Sequence, residues 1–157
     1  MKYTLLLFIL AVCIETQAQE RMALTDLVGT WQGTGQLFGQ EAKYTMTWEE
    51  ALDGQYIKLT FKNEIISNGQ GIKSEAYYRP SAEHEVIGKW FDNRGYFVEI
   101  EGKLSENALT SHWANEYEQG KTVYALINTD SVSVRDFVWK ENEYQQFGEA
   151  RYTRAKD

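Results

Sequence analysis

Ser111, His112 and Asp136 are the residue types of a nucleophile, a general base and an orienting carboxylate, and Glu49-Glu50 sets two carboxylates side by side as an acid–base pair needs. Spacing decides against both. They lie in segments where polar and apolar residues alternate, and neighbouring residues of a strand point to opposite faces. Ser111 and His112 therefore share no site, and neither do Glu49 and Glu50. His84 and His112 are the only histidines, and neither has a second histidine or a carboxylate at metal-ligand spacing. No Gly-x-Ser-x-Gly elbow, phosphate-cradling loop or metalloprotease motif occurs. The chemistry-bearing residues thus point to binding rather than catalysis, with no resident metal.

The elements that must position them are strands. Turn signals recur along the chain at Asp53-Gly54, Asn68-Gly69, Asp92-Asn93-Arg94-Gly95, Glu101-Gly102 with Ser105-Glu106-Asn107, Gln119-Gly120, Asn128-Thr129-Asp130 and Glu141-Asn142. Asn-Gly and Asp-Gly supply the positive φ values of a type I′ hairpin. Between the turns the period is two. Tyr44, Met46, Trp48 and Leu52 face one way, Ile57, Leu59 and Phe61 follow, then Tyr96, Val98 and Ile100, then Leu109, Ser111, Trp113, Asn115 and Tyr117. Only Met22 to Val28 reads as helical. About ten strands joined by tight hairpins close most economically into a barrel, which removes the exposed sheet edges. The expectation is an all-β protein: a single up-and-down antiparallel β-barrel with a short N-terminal helical turn.

The inward-facing set fixes the character of such a barrel. It is rich in large aromatics, Trp31, Tyr44, Trp48, Tyr78, Trp90, Trp113 and Tyr117, interrupted by Glu50, Ser111 and Asn115. These aromatics either fill the barrel or line a cavity for a small, mostly apolar ligand. Unpaired polar groups are costly inside, so the polar three are paired together or available to a ligand or water. Glu50 lies near a hairpin and is equally well read as exposed. Alternation breaks in Ser131 to Trp139, where Val132 and Val134 define one face and Phe137 and Trp139 the other. A bulge near Arg135-Asp136 would return both sets to the interior and make Arg135 a cavity residue; a solvated Arg-Asp pair is the simpler reading.

Residues 1–18 have the form of a signal peptide: Lys2, an apolar run from Leu5 to Ile14, and small residues at Thr16 and Ala18. The run is too short to span a membrane. Cleavage after Ala18 leaves one domain, residues 19–157, exported to the periplasm or beyond. Cys13 is the sole cysteine, and Val12 before it disfavours lipid attachment there. The mature chain then has no disulfide and no thiolate chemistry, so its core alone holds it. The formal charge of −7 is dispersed, which disfavours nucleic acid and anionic membranes as partners. A monomer or weak dimer is expected.

Gly29-Thr30-Trp31-Gln32-Gly33-Thr34-Gly35, following the helical turn, resembles the first strand of the calycin superfamily, the lipocalins and fatty-acid-binding proteins, and more closely its nitrobindin branch and small bacterial lipocalin-like families. The resemblance implies a barrel closed at one end by Gly29 and Trp31, the tryptophan packed against a cation of the last strand. Arg151 and Arg154 are available, and Arg154 is preferred because it is in phase with Tyr152, Ala150 and Gly148. Two departures limit the analogy. Nitrobindins hold haem through a late histidine, whereas this chain has none after His112. The Arg-x-Tyr pair with which fatty-acid-binding proteins hold a carboxylate is also missing from Arg151-Tyr152-Thr153-Arg154.

The leading expectation is an exported, non-catalytic barrel binding a small apolar or aromatic molecule without a cofactor. A haem-binding redox protein of nitrobindin type is the alternative. A third reading is a surface-interaction module with an inert core, for which Phe97 and Tyr124 would form an outward patch.

Overall fold

Ten strands follow one another with a single 3₁₀ turn, Leu24–Leu27, before them in the computed structural model, which describes residues 21–156. The expected leader, residues 1–18 with Cys13, lies outside the described residues. The strands are β1 (Gly29–Leu37), β2 (Gln40–Ala51), β3 (Tyr56–Ile65), β4 (Lys73–Ala82), β5 (Glu85–Asp92), β6 (Phe97–Leu104), β7 (Ala108–Ala114), β8 (Gln119–Asn128), β9 (Ser131–Lys140) and β10 (Glu143–Arg154). Each pairs antiparallel with its sequence neighbours, and β1 also pairs with β10, closing the barrel. The closing register runs from Trp31 opposite Arg154 to Leu37 opposite Gly148. Among the described residues no strand edge remains unpaired, which is how ten amphipathic strands satisfy their backbone without a second layer.

Hairpin chemistry sets the connections. Glu141 and Asn142 both have positive φ (53° and 63°), the geometry of a type I′ turn, whose twist matches that of the flanking strands. Phe38 and Gly39 do the same between β1 and β2 (49° and 75°). An aromatic residue seldom adopts positive φ, which is why this turn carries no sequence signal. Here the Phe38 ring stacks on Phe147 at 5.1 Å with 17° between the planes.

The two ends of the barrel differ. At one end Leu24 and Leu27 of the 3₁₀ turn pack with Trp31, Val86, Leu104, Leu109 and Val132, all buried. Trp31 is fully buried, its Nε1 donates to Leu27 O at 2.7 Å, and the Arg154 guanidinium carbon lies 4.1 Å from its ring centre. Arg154 also donates to Val28 O and, at 3.1 Å, to Thr129 O. Gly29, at φ 131°, leaves the space that Nη1 of Arg154 occupies. The opposite end carries the β1–β2, β3–β4, β5–β6, β7–β8 and β9–β10 turns and remains open.

Three sequence expectations about face are corrected. Alternation in β9 is unbroken, because Val132, Val134, Asp136 and Val138 all face inward while Arg135 and Trp139 are exposed. The irregularity that compensates lies on the partner strand, between Gln146 and Gly148 of β10, where it turns Phe147 toward the mouth. Further, β7 ends at Ala114, so Asn115 and Tyr117 belong to a turn. Lastly, Tyr124 is buried, so it forms no outward patch with the exposed Phe97.

Candidate functional site

The open end leads into a cavity of about 400 Å³ within the barrel. Its walls are largely apolar: Phe61, Trp90, Val98, Ile100, Trp113, Val134, Val138 and Phe147 are among the residues that line it. A second depression, of about 540 Å³ and bordered by Lys62, Lys73, Glu75 and Phe91, runs along the barrel at β3 to β5. It is wide open to solvent, so of these two spaces it is the interior cavity that can surround a ligand.

Aromatic side chains pack into a continuous belt around and beneath the cavity. Tyr152 meets Tyr44 at 5.9 Å, Tyr44 meets Phe61 at 6.2 Å, and Phe61 meets Trp90 at 5.5 Å. Deeper, Trp48 lies against Tyr78 at 5.3 Å and edge-on to Tyr124 at 5.2 Å. Trp48 Nε1 is buried and has no hydrogen-bond partner among the described residues. Such rings present both apolar area and negative π faces.

A polar row crosses this apolar wall. Ser111 on β7 is opposite Thr122 on β8, Thr122 is opposite Asp136 on β9, and Asp136 is opposite Gly148 on β10. Gly102 of β6 ends the row beside Ser111. Opposed residues of antiparallel strands share a face, so the three polar side chains project into the cavity together. Thr122 Oγ1 donates to Asp136 Oδ1 at 2.7 Å. The Tyr78 hydroxyl is engaged with Ser111 and Tyr124, and the Tyr44 hydroxyl donates to Gln36 O at 3.0 Å.

Asp136 dominates the electrostatics. Burial pushes its carboxyl up to about 6, and the Thr122 hydrogen bond only partly opposes this. The side chain lies deep in the barrel yet keeps some surface open to the cavity, so some water reaches it. Its charge is felt by the surrounding phenols. Burial raises Tyr44 to about 12 and holds Tyr78, Tyr124 and Tyr152 above the usual phenol range, with Asp136 adding to each shift. Among the described residues, Asp136 takes part in no ion pair.

The rim carries charges of both signs: Asp92, Arg94, Glu118 and Lys140. Arg94 is committed to Asp92 through Nη2 at 2.6 Å, Nε at 3.1 Å and its backbone N–H at 2.8 Å. Burial would raise the Asp92 carboxyl, but these contacts outweigh it and hold the group low.

Of the ten cavity residues expected from the sequence, Tyr78, Trp90, Ser111 and Trp113 line the cavity. Tyr44 and Trp48 are buried in the packed aromatic belt. The other four are not among the residues that line it. Glu50 is exposed near the end of β2, and Arg135 points outward because β9 has no bulge. Tyr117 is 77% exposed, and Asn115 uses its Oδ1 to accept the N–H groups of Tyr117 and Glu118, building the turn. Both histidines also lie outside the cavity lining: His84 is beside Glu83 at 3.3 Å and His112 is beside the Tyr144 hydroxyl at 3.3 Å. Sequence reasoning missed Thr122, Tyr124 and Asp136 as interior residues. The strict period of two from Val132 to Val138 was the signal for Asp136.

Fold and cavity together define a closed ten-strand antiparallel β-barrel with an interior space open at one end. No known family profile and no curated protein matches the chain. Among solved structures it is similar to the S-type phycobiliprotein lyase CPES from Guillardia theta, with a TM-score of 0.62 at 8% identity over 85% of this chain and 91% of that one. It is also similar to a de novo designed fluorescence-activating β-barrel, with a TM-score of 0.49 at 15% identity over 85% of this chain and 100% of that one. A redesigned barrel, mFAP1, bound to DFHBI, gives 0.48 at 13% identity over 84% and 98%. At these identities the likeness to the lyase is one of fold.

Proposed function

We propose that the protein is an exported, calycin-type barrel that binds a small, mostly apolar ligand inside the barrel and does not transform it. The observation that carries this reading is the cavity of about 400 Å³, open at one end and walled by Trp90, Trp113, Phe61 and Phe147. That volume lies within the usual range of small-molecule sites, and the combination of apolar walls with a few convergent polar groups is their usual make-up. A barrel built only for stability would fill this space, since interiors pack as densely as organic crystals. The leader-like residues 1–18 support export, and the opposed faces of Ser111 and His112 favour binding over catalysis.

Titration with the neutral fluorophore N-phenyl-1-naphthylamine tests the reading. Saturable enhancement is expected at one equivalent, with quenching of tryptophan emission from Trp90 and Trp113. Filling the cavity with Ser111→Phe should abolish both. A wild-type protein that leaves the dye unchanged, and that carries no small molecule in native mass spectra of material purified from its host, would refute it.

A further inference from the structure

We infer that the cavity takes an aromatic amine in its cationic form, with the charged nitrogen seated on the Asp136 carboxylate between Thr122 and Gly148. The inference rests on the ligand-binding reading above and narrows its ligand class.

Geometry singles out one oxygen. Thr122 satisfies Oδ1, whereas among the described residues no hydrogen bond reaches Oδ2. On that side stands Gly148, where an added Cβ would lie 3.0 Å from Oδ2. Absence of a side chain there keeps the oxygen open to the cavity. Nearby hydroxyls are engaged elsewhere, Tyr78 with Ser111 and Tyr124, and Tyr44 with Gln36 O.

Among the described residues, no cation is paired with Asp136. Arg94 is held by Asp92 at the rim. Lys140 also borders the cavity, but it is four residues further along β9, about 13 Å away at the rise of a strand. Arg135 and Arg151 are exposed. The titratable groups that face Asp136 are Tyr44 of β2, Tyr78 of β4, Tyr124 of β8 and Tyr152 of β10. Burial keeps all four neutral, so none compensates the carboxylate.

A charge this deep is unfavourable without a partner, and a bound cation supplies one. The same cation gains from the walls, because Phe61, Trp90, Trp113 and Tyr124 offer π faces that attract positive charge and repel negative charge. An anionic ligand would meet both Asp136 and those faces. The protein's formal charge of −7 acts in the same direction, raising the local concentration of cations.

Three naphthalenes of nearly equal size test the inference: 2-naphthylmethylamine, protonated at pH 8, the neutral 2-naphthalenemethanol, and 2-naphthoate. Binding is read by tryptophan quenching. At pH 8 the amine is expected to bind about ten-fold more tightly than the alcohol, and 2-naphthoate most weakly. Asp136→Asn should bring the amine down to the level of the alcohol measured on the same variant. An independent measurement needs no variant: wild-type affinity for the amine should fall as pH drops from 8 to 5 and Asp136 takes up a proton, while affinity for the alcohol stays level. Equal binding of amine and alcohol would overturn the inference and leave the ligand-binding reading standing. So would an amine preference that survives both Asp136→Asn and pH 5. If none of the three binds, both readings fall.

Discussion

Thr122 Oγ1 donates to Asp136 Oδ1 at 2.7 Å from the directly opposite position of the neighbouring strand. This one bond does not offset burial, and the carboxyl is pushed from its ordinary 3.8 up to about 6. A group whose pKa is raised on folding contributes its stability in full below the unfolded value and loses it as pH rises through the folded one. Ligand-free Asp136→Asn should therefore be more stable than wild type at pH 8. The shift corresponds to at most roughly 3 kcal/mol, reduced by whatever water enters the cavity. The difference should be much smaller at pH 4, where the folded carboxyl is protonated and the unfolded one is about half so, and it should vanish only below the unfolded value. Urea denaturation at the two pH values measures it, and a wild type more stable than the variant at pH 8 would contradict the assignment.

Removing the donor should act in the opposite direction. Thr122→Val keeps the shape of the side chain but leaves Asp136 Oδ1 without its hydrogen bond. The carboxyl should titrate higher still, and the protein should lose roughly 1–3 kcal/mol at pH 8, the scale of a hydrogen bond to a charged group. At pH 4 the loss should be smaller. Carbon-13 NMR of the Asp136 carboxyl, followed through pH 4 to 8, checks the direction of the shift in both proteins.

Tyr44, Tyr78, Tyr124 and Tyr152 should ionise late. Burial is the main cause in each, and the charge of Asp136 adds to it. Alkaline titration read at 295 nm follows their ionisation. Tyr44 should respond only toward about 12, and Tyr78, Tyr124 and Tyr152 above the usual phenol range or together with unfolding. Their raised values stabilise the fold below pH 10, and that contribution is lost as pH climbs through the folded values. Asp136→Asn should lower the late phase by removing a nearby negative charge. A single phase near 10 in the folded protein would show that the belt is open to water.

The barrel itself was legible in the chain because period-two alternation and turn residues are local signals, carried by pairs such as Asn68-Gly69 and Glu141-Asn142. So was the phase of Arg154, read from Tyr152 and Ala150 beside it. The polar row was harder to see. Whether Asp136 faces inward depends on which of two paired strands carries the extra residue, and that is settled in space by Phe147 turning over Phe38 at the mouth. Placing the bulge on β9 instead exchanges Asp136 for Arg135, since a slip of one residue reverses the face of every side chain. Asn115 and Tyr117 failed for a related reason: the alternation carried past Ala114 into a turn that Asn115 itself builds.

Arg154 and the cavity lie at opposite ends of the barrel, so stability and binding should separate there. Arg154 joins three pieces of chain: it covers the Trp31 ring in β1, reaches Val28 O after the 3₁₀ turn, and reaches Thr129 O before β9. Arg154→Ala removes the cation from the ring and leaves both carbonyls without this donor, a loss of roughly 2–4 kcal/mol. Arg154→Lys retains a charge but not the planar fork that serves ring and carbonyls together, so it should recover only part of that loss. Gly29→Ala attacks the same junction from the other side, because its Cβ would fall on Arg154 Nη1 and its φ of 131° disfavours any side chain. All three variants should lower the denaturation midpoint. At temperatures where they remain folded, affinity for a naphthalene probe should stay within about two-fold of wild type, since Asp136, Trp90 and Trp113 are untouched. A large loss of affinity in folded Arg154→Ala, measured by tryptophan quenching, would instead mean that the closed end controls the shape of the cavity.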